Sequence, residues 1–237
     1  MQFTLIRSDQ PEILTKRFAL DKDGVLTKTT VGHLSRGRAS SETVADMAVF
    51  GKFIEGLRPD QALAYGRIVG DLQMATIVTR KAYGKLTEHQ RVGVVTRSND
   101  HFEWGTGAGV MQIDVDPLPD GTVLPPAEFL KLLDVFLPEA REVPKVFKPS
   151  ASSYIYNSVT GEELTGLRGY RIYLAIDDAA KIRNVAETLD TRLKAGGYGQ
   201  VSITKNGQMR DRSPIDMAVY TPCHLDFAAG AATGETC

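Results

Sequence analysis

The segment Val110-Met111-Gln112-Ile113-Asp114-Val115-Asp116-Pro117 constrains the fold of this chain more than any other stretch. Its apolar and β-branched residues predict a strand, ended by Pro117, which cannot donate to a sheet ladder. Alternate side chains on a strand share a face, so Asp114 and Asp116 project together with Cα atoms roughly 6.5–7 Å apart. Asp is depleted in strands and costly to bury unless it is paired or binds metal. Two like charges on one face of an apolar strand therefore call for a cation. The plainer alternative is a solvent-facing strand end with two incidental acids; Ile113 and Val115 on the opposite face tilt the reading towards metal.

Elsewhere the pattern mixes strands and helices. Short strands fall within Phe18 to Arg38, with Gly24 in a turn and Ser35-Arg36-Gly37-Arg38 as a basic loop. Glu42 to Gly56 has the apolar spacing of an amphipathic helix, and a second helix is expected from Asp60. Strands are predicted at Met74–Thr79, Gly93–Thr96, Gly109–Asp116, Ser153–Tyr156, Arg171–Ile176, Val201–Thr204 and Met217–Tyr220. Pro125-Pro126 opens a helix that runs through Phe136, and Asp177 or Asp178 caps another from Ala179 to Lys194, ended by Gly196-Gly197. Asn206-Gly207 marks a hairpin. The sum predicts an α+β domain around a central mixed or antiparallel sheet with flanking helices. At 237 residues one large domain suffices, with Pro138 to Pro149 as a possible hinge between sub-parts 1–138 and 150–230, and 231–237 as a tail or linker.

Composition narrows the setting. A formal net charge of -1 argues against a protein coated in basic residues, yet leaves room for a local basic groove. Two cysteines, Cys223 and Cys237, make no disulfide framework and no paired metal motif, which fits a reducing cytoplasm. The first residues lack the apolar core of a signal peptide, and no stretch approaches the roughly 20 apolar residues of a membrane span. A soluble, cytoplasmic protein with no membrane partner is expected.

Two further segments carry chemistry. Thr165-Gly166-Leu167-Arg168-Gly169-Tyr170-Arg171-Ile172-Tyr173-Leu174 leads glycines and arginines into an apolar strand. Glycine lets backbone approach a ligand, and the Arg fork matches phosphate oxygens. Alone, a surface turn with solvated arginines explains it as well. In Ser213-Pro214-Ile215-Asp216-Met217-Ala218-Val219-Tyr220-Thr221-Pro222-Cys223-His224-Leu225 a single acid again opens an apolar run, just after Arg210 and Arg212. His33, His89, His101 and His224 show no paired spacing, which argues against a rolling-circle nuclease and a zincin. No P-loop appears. Gly105-Thr106-Gly107-Ala108-Gly109 precedes a strand rather than a helix, so a turn aimed at that strand is expected there. Phe102 and Trp104 are expected in the core or a hairpin rather than stacked on a base.

In this order the three segments resemble the motifs of the archaeo-eukaryotic primase superfamily: a hydrophobic run with Asp-x-Asp, a Ser-Gly-x-Arg-Gly-Tyr-His segment entering a strand, and a hydrophobic-Asp strand followed by His-Leu. Lys16-Arg17-Phe18, Pro149-Ser150-Ala151-Ser152-Ser153, Thr160-Gly161-Glu162 and Leu225-Asp226-Phe227-Ala228-Ala229-Gly230 are similar to the primase domains of phage, plasmid and integrative-element primase–helicases. The resemblance spans about Lys16 to Gly230. It implies a catalytic core with a half like an RNA-recognition motif, beside an N-terminal α/β part. It also implies primer synthesis on single-stranded DNA from NTP or dNTP, for replication of a mobile element. Asp114, Asp116 and Asp216 would hold two Mg²⁺ or Mn²⁺ ions, one activating the attacking 3′-hydroxyl and one the triphosphate. Arg171 replaces the family's nucleotide-binding His, and Thr165 its frequent Ser. As a fixed cation Arg171 can grip triphosphate but cannot act as an acid near neutral pH. Ser152, Ser153, Lys148 and Tyr173 complete the expected nucleotide contacts; Lys148, Arg210 and Arg212 read equally well as solvated surface. A helicase is the implied partner, in cis or in trans.

Two other functions stay open. One is a catalytically silent DNA-binding initiator or helicase-docking module, kept alive by arginine at position 171. The other is an Asp-x-Asp glycosyltransferase using Mn²⁺, which has no evident use for Asp216.

Overall fold

The computed structural model describes residues 1–9, 13–31, 34–70, 72–118, 121–203, 206–234. It is an α+β structure built on one eight-stranded mixed sheet. Its strands are β1 (Gln2–Ser8), β2 (Arg36–Thr43), β3 (Gln61–Ala64), β4 (Met74–Val78), β5 (Val94–Val95), β6 (Gly109–Val115), β7 (Lys145–Pro149) and β8 (Tyr170–Ile176). The order is β7-β8-β6-β1-β2-β4-β5, and β3 pairs with the remaining length of β1. β6 meets β1 in parallel only at Gln2↔Gly109, whereas β6 and β8 pair antiparallel along their whole length.

Both faces of the β6–β8 pair are covered, for different reasons. On one face Met111, Ile113, Val115, Ile172 and Leu174 meet two helices, α2 (Pro126–Phe136) and α3 (Ile182–Leu193). α2 starts where Pro125-Pro126 supplies preset φ, and ends before Pro138. α3 presents Ile182, Ala186, Leu189 and Leu193, the spacing of one helical face. The Asp178 carboxylate caps the turn that precedes it. On the other face Val110 and Tyr173 pack with Phe3, Leu63 and the buried residues of helix α1 (Met47–Glu55), including Phe50. A third cluster around Ile6, Ala39, Ile77 and Phe102 fills the N-terminal half. Phe102 is thus a core residue, and Trp104 is half-buried against two of the clusters.

Several expectations of secondary structure are corrected, and other segments are placed in the fold. The first helix begins at Met47, not Glu42, because residues up to Thr43 belong to β2 and Asp46 caps the helix by accepting from Val49 N at 2.8 Å. Arg36 to Arg38 are strand rather than loop, and Gly37 lies close against the Arg7 carbonyl, where a Cβ has no room. No helix starts at Asp60. Gln61–Ala64 is a wholly buried strand, because pairing with β1 outweighs local helix preference. Met217–Val219 is a 3₁₀ turn, since the Asp216 carboxylate caps Ala218 N and ends the extended run. Pro138 to Pro149 contains β7 and so joins the main sheet. The expected tail pairs at Ala232–Thr233 with the strand Thr15–Leu20. Thr204, like His33 and Cys237, lies outside the described residues. The Asn206-Gly207 hairpin forms between Gln200–Ile203 and Met209–Arg212, with Gly207 at φ 75°.

Candidate active site

The backbones of the first and third motifs meet at the end of β6. Asp216 N donates to the Asp114 carbonyl at 2.9 Å, and Val115 and Ile215 form an isolated antiparallel bridge. That bridge sets Asp216 beside the Asp-x-Asp pair although about a hundred residues separate them. Asp116 and Asp216 then line a common cleft of about 390 Å³ with Asp190, Arg210, Arg212 and Ser213. The hairpin register puts Arg212 opposite Gln200 and Arg210 opposite Ser202, so both arginines stand on one side of the ribbon. Asp211 ties the hairpin down through Lys194, which bridges it to Asp190 at 2.8 Å to each.

Asp114 looks the other way, into the sheet. It is the direct cross-strand partner of Arg171, and the guanidinium Nε lies 3.6 Å from its carboxylate. Burial pushes the Asp114 pKa up to about 7; Arg171 opposes that rise, while Asp116, Asp226 and Asp216 add to it. Arg171 is drawn further in by Asp226, whose side chain is fully buried and whose Oδ1 stands 3.1 Å from the same Nε. Neither of these two atoms makes a directed hydrogen bond. The Asp226 Oδ2 accepts from the Tyr65 hydroxyl at 2.6 Å and the Tyr173 hydroxyl at 2.9 Å. Arg171 also donates to the Phe227 carbonyl at 3.3 Å. Burial would lower the Arg171 pKa, but Asp226, Tyr173 and Asp114 outweigh it and hold the guanidinium charged. Burial, with Asp226 next, raises the pKa of both tyrosines, so they act as neutral donors.

The remaining residues singled out from the sequence divide sharply. Ser152 Oγ accepts from Lys16 Nζ at 3.1 Å, and Lys16 sits on the strand Thr15–Leu20, outside the main sheet. Ser153 instead shapes the loop before β8, donating to the Gly169 carbonyl and accepting from Arg168 N. Gly169 sits at φ 118° with the Val115 carbonyl 3.0 Å from where a Cβ would be, so that glycine serves the backbone crossing. Lys148, the cross-strand partner of Arg171, donates to the Ile54 carbonyl near the end of the Met47–Glu55 helix at 3.1 Å. Tyr173 has no exposed surface and lies beneath Arg171, out of reach of a nucleotide in the cleft. His224 is near the acids, and burial lowers its pKa.

Two residues entered the sequence reading only within segments that carry the resemblance, without a role at the site. Asp226 was visible by the same signal as Asp114, a lone acid in the apolar run Leu225-Asp226-Phe227-Ala228-Ala229. Lys16, in Lys16-Arg17-Phe18, had no such local signal, since a lysine on a surface strand is ordinary. Its pKa is lowered by burial, then by Lys28 and Arg171, against the pull of Asp116 and Asp114.

The donor set, carboxylate oxygens, suits a hard divalent cation; burial first, and then the neighbouring Asp116, Asp226 and Asp216, raise the pKa of Asp114. The side chains as they stand are not gathered into a ligand shell. Among the described residues no group of three or more His, Cys, Asp or Glu is placed to hold a metal ion. The Asp216 carboxylate is turned to its helical cap and that of Asp114 to Arg171, so a cation would need both to swing. Among the described residues, no helix is long and apolar enough to cross a membrane. Compared with protein-family models, with curated proteins and with solved structures, the chain matches none of them.

Proposed function

We propose that this chain is a member of the archaeo-eukaryotic primase superfamily that performs template-directed nucleotidyl transfer at Asp114, Asp116 and Asp216. The observation that carries the reading is the approach of Asp216 to Asp114 through the Val115–Ile215 bridge, which unites the acids of two distant motifs. Asp116 and Asp216 share a cleft with Arg210 and Arg212, so acidic metal ligands and phosphate-binding forks face one space. Mg²⁺ or Mn²⁺ bound by the three carboxylates supplies the activation of a 3′-hydroxyl and the neutralisation of the triphosphate.

The chain's own residues do the rest. Arg210 and Arg212 bind and orient the triphosphate from the hairpin side of the cleft. Lys16 and Ser152 offer a second cationic and hydroxyl contact from the side of Asp114 and Asp116. Arg171, held by Asp226, supplies fixed positive charge next to Asp114 and transfers no proton. Single-stranded DNA is the template and NTP or dNTP the substrate, with a helicase as the replication partner. The test is incorporation of labelled NTP or dNTP on single-stranded DNA with Mg²⁺ or Mn²⁺, beside an Asp114→Ala/Asp116→Ala control. Products from the wild type alone support the enzyme and name its sugar; retained incorporation in Asp216→Ala overturns the site.

The second reading is a catalytically silent DNA-binding initiator or helicase-docking module. The contact of Arg171 with Asp114 and the ungathered carboxylates favour it. It predicts no incorporation by the wild type and DNA binding that survives Asp114→Asn.

A further inference from the structure

Asp226 is not among the three proposed metal ligands and does not line the cleft, yet it is fixed from every side. Its backbone forms an antiparallel bridge with Leu63, with N–H to carbonyl bonds of 2.8 and 3.0 Å. Two tyrosine hydroxyls, from Tyr65 and from Tyr173 on β8, hold one carboxylate oxygen. The other oxygen faces Arg171 at 3.1 Å, nearer than the 3.6 Å from Arg171 to Asp114. The adjacent Phe227 carbonyl takes a second guanidinium N–H. One cation thus stands between two carboxylates, and the more rigid, more deeply buried one holds it.

We infer that Asp226 is a positioning residue that draws Arg171 to its own carboxylate and so limits it to the looser 3.6 Å contact with Asp114, from which the Asp114 carboxylate can turn to a divalent cation. Coulomb attraction at these separations is strong where water is excluded. A guanidinium that has lost Asp226 has Asp114 as its nearest carboxylate, and closes on it. The metal must then displace an arginine before it can use that ligand. Tyr65 and Tyr173 serve the same end by fixing the oxygen that Arg171 does not use. The inference rests on the metal reading of the three carboxylates.

The experiment measures Mn²⁺ binding by titration calorimetry, without nucleotide or turnover, in the wild type, Asp226→Asn and Asp226→Asn/Arg171→Gln. Asn keeps the shape and an acceptor for the tyrosine hydroxyls. Partners behind the metal ligands commonly change metal affinity 10–100-fold, so Asp226→Asn is expected to bind Mn²⁺ about 10-fold more weakly or worse. The double variant, which lacks the intruding guanidinium, is expected to recover most of that affinity. Should Asp226→Asn fail to fold, Tyr65→Phe/Tyr173→Phe keeps both charges and loosens the carboxylate, with a smaller loss of Mn²⁺ affinity expected. Unchanged affinity in the single variant overturns the proposal, as does unchanged affinity in the tyrosine pair if that is the protein measured. A loss that the double variant fails to recover also overturns it, because general damage then explains the effect. A wild type that takes up no Mn²⁺ overturns the metal reading itself, a result distinct from all of these.

Discussion

The two sides of Asp114 and Asp116 are built by opposite means. Towards the sheet interior, Asp114, Arg171, Asp226, Tyr65 and Tyr173 form a buried ionic group in which most polar contacts lie inside the protein. Towards the hairpin, Asp116, Asp216, Arg210 and Arg212 surround an open cleft, and neither arginine there is buried. Water screens charges in the cleft and leaves them free to rearrange around a ligand, whereas buried charges are fixed because no solvent can replace a lost partner. The difference teaches a division of labour. The interior side sets geometry and belongs to the fold, while the cleft side is the one to which the proposed function assigns binding, and its exposed arginines are expected to add little to the fold.

That contrast can be broken by substitution. Asp226→Ala should have the largest effect, destabilising the protein by ~3–5 kcal/mol, because it removes the nearer carboxylate from a buried guanidinium and the acceptor from two buried hydroxyls. Urea denaturation checks it; a loss near zero would mean that the interior group does not hold the fold. Next comes Gly169→Ala, which forces a Cβ into the left-handed region 3.0 Å from the Val115 carbonyl, at about 1–3 kcal/mol by the same measurement.

The pH dependence of metal binding sharpens the comparison. The folded pKa of Asp114, about 7, exceeds its ordinary value of 3.8, so the folded state binds the proton more tightly. Without metal, this group's contribution to stability falls as pH rises from near 4 to about 7 and is level above that. A cation needs the ionised form, so the rise in melting temperature on adding Mn²⁺ should grow as pH is raised through 7, and Asp114→Asn should flatten that growth. The smallest effect on stability belongs to Arg212→Ala and Arg210→Ala, within about 0.5 kcal/mol, since both side chains are exposed. Their signature is instead a raised KM for nucleotide with kcat retained, read by steady-state incorporation. A fall in stability comparable to that of Asp226→Ala would erase the distinction between the two sides.

Much of this was readable in one dimension. The apolar runs at Gly109–Val115 and Tyr170–Ile176 announced strands, because a fully buried strand has little else it can be made of. Pro125-Pro126 and Asp178 marked helix starts through local chemistry that no tertiary contact needs to supply. The Asp-x-Asp pair was legible for the same reason, as charge set in an apolar run. Tertiary pairing decided the rest. Gln61–Ala64 is a strand only because β1 lies beside it, and residues 145–149 join the sheet only because β8 does. The family resemblance put Arg171 and Tyr173 among the expected nucleotide contacts. The fold turns one towards Asp226 and buries the other beneath it.

The sequence by itself determined which residues are acidic, which runs must be buried and where backbone breaks. Those properties depend on side chains and their near neighbours along the chain. Only the tertiary structure decided that Asp216 stands at Asp114, that Lys16 reaches Ser152 and that Asp226 holds Arg171. Each of those pairs is far apart in sequence, and a charge finds its partner through distance in space and the exclusion of water, neither of which is written in the order of residues.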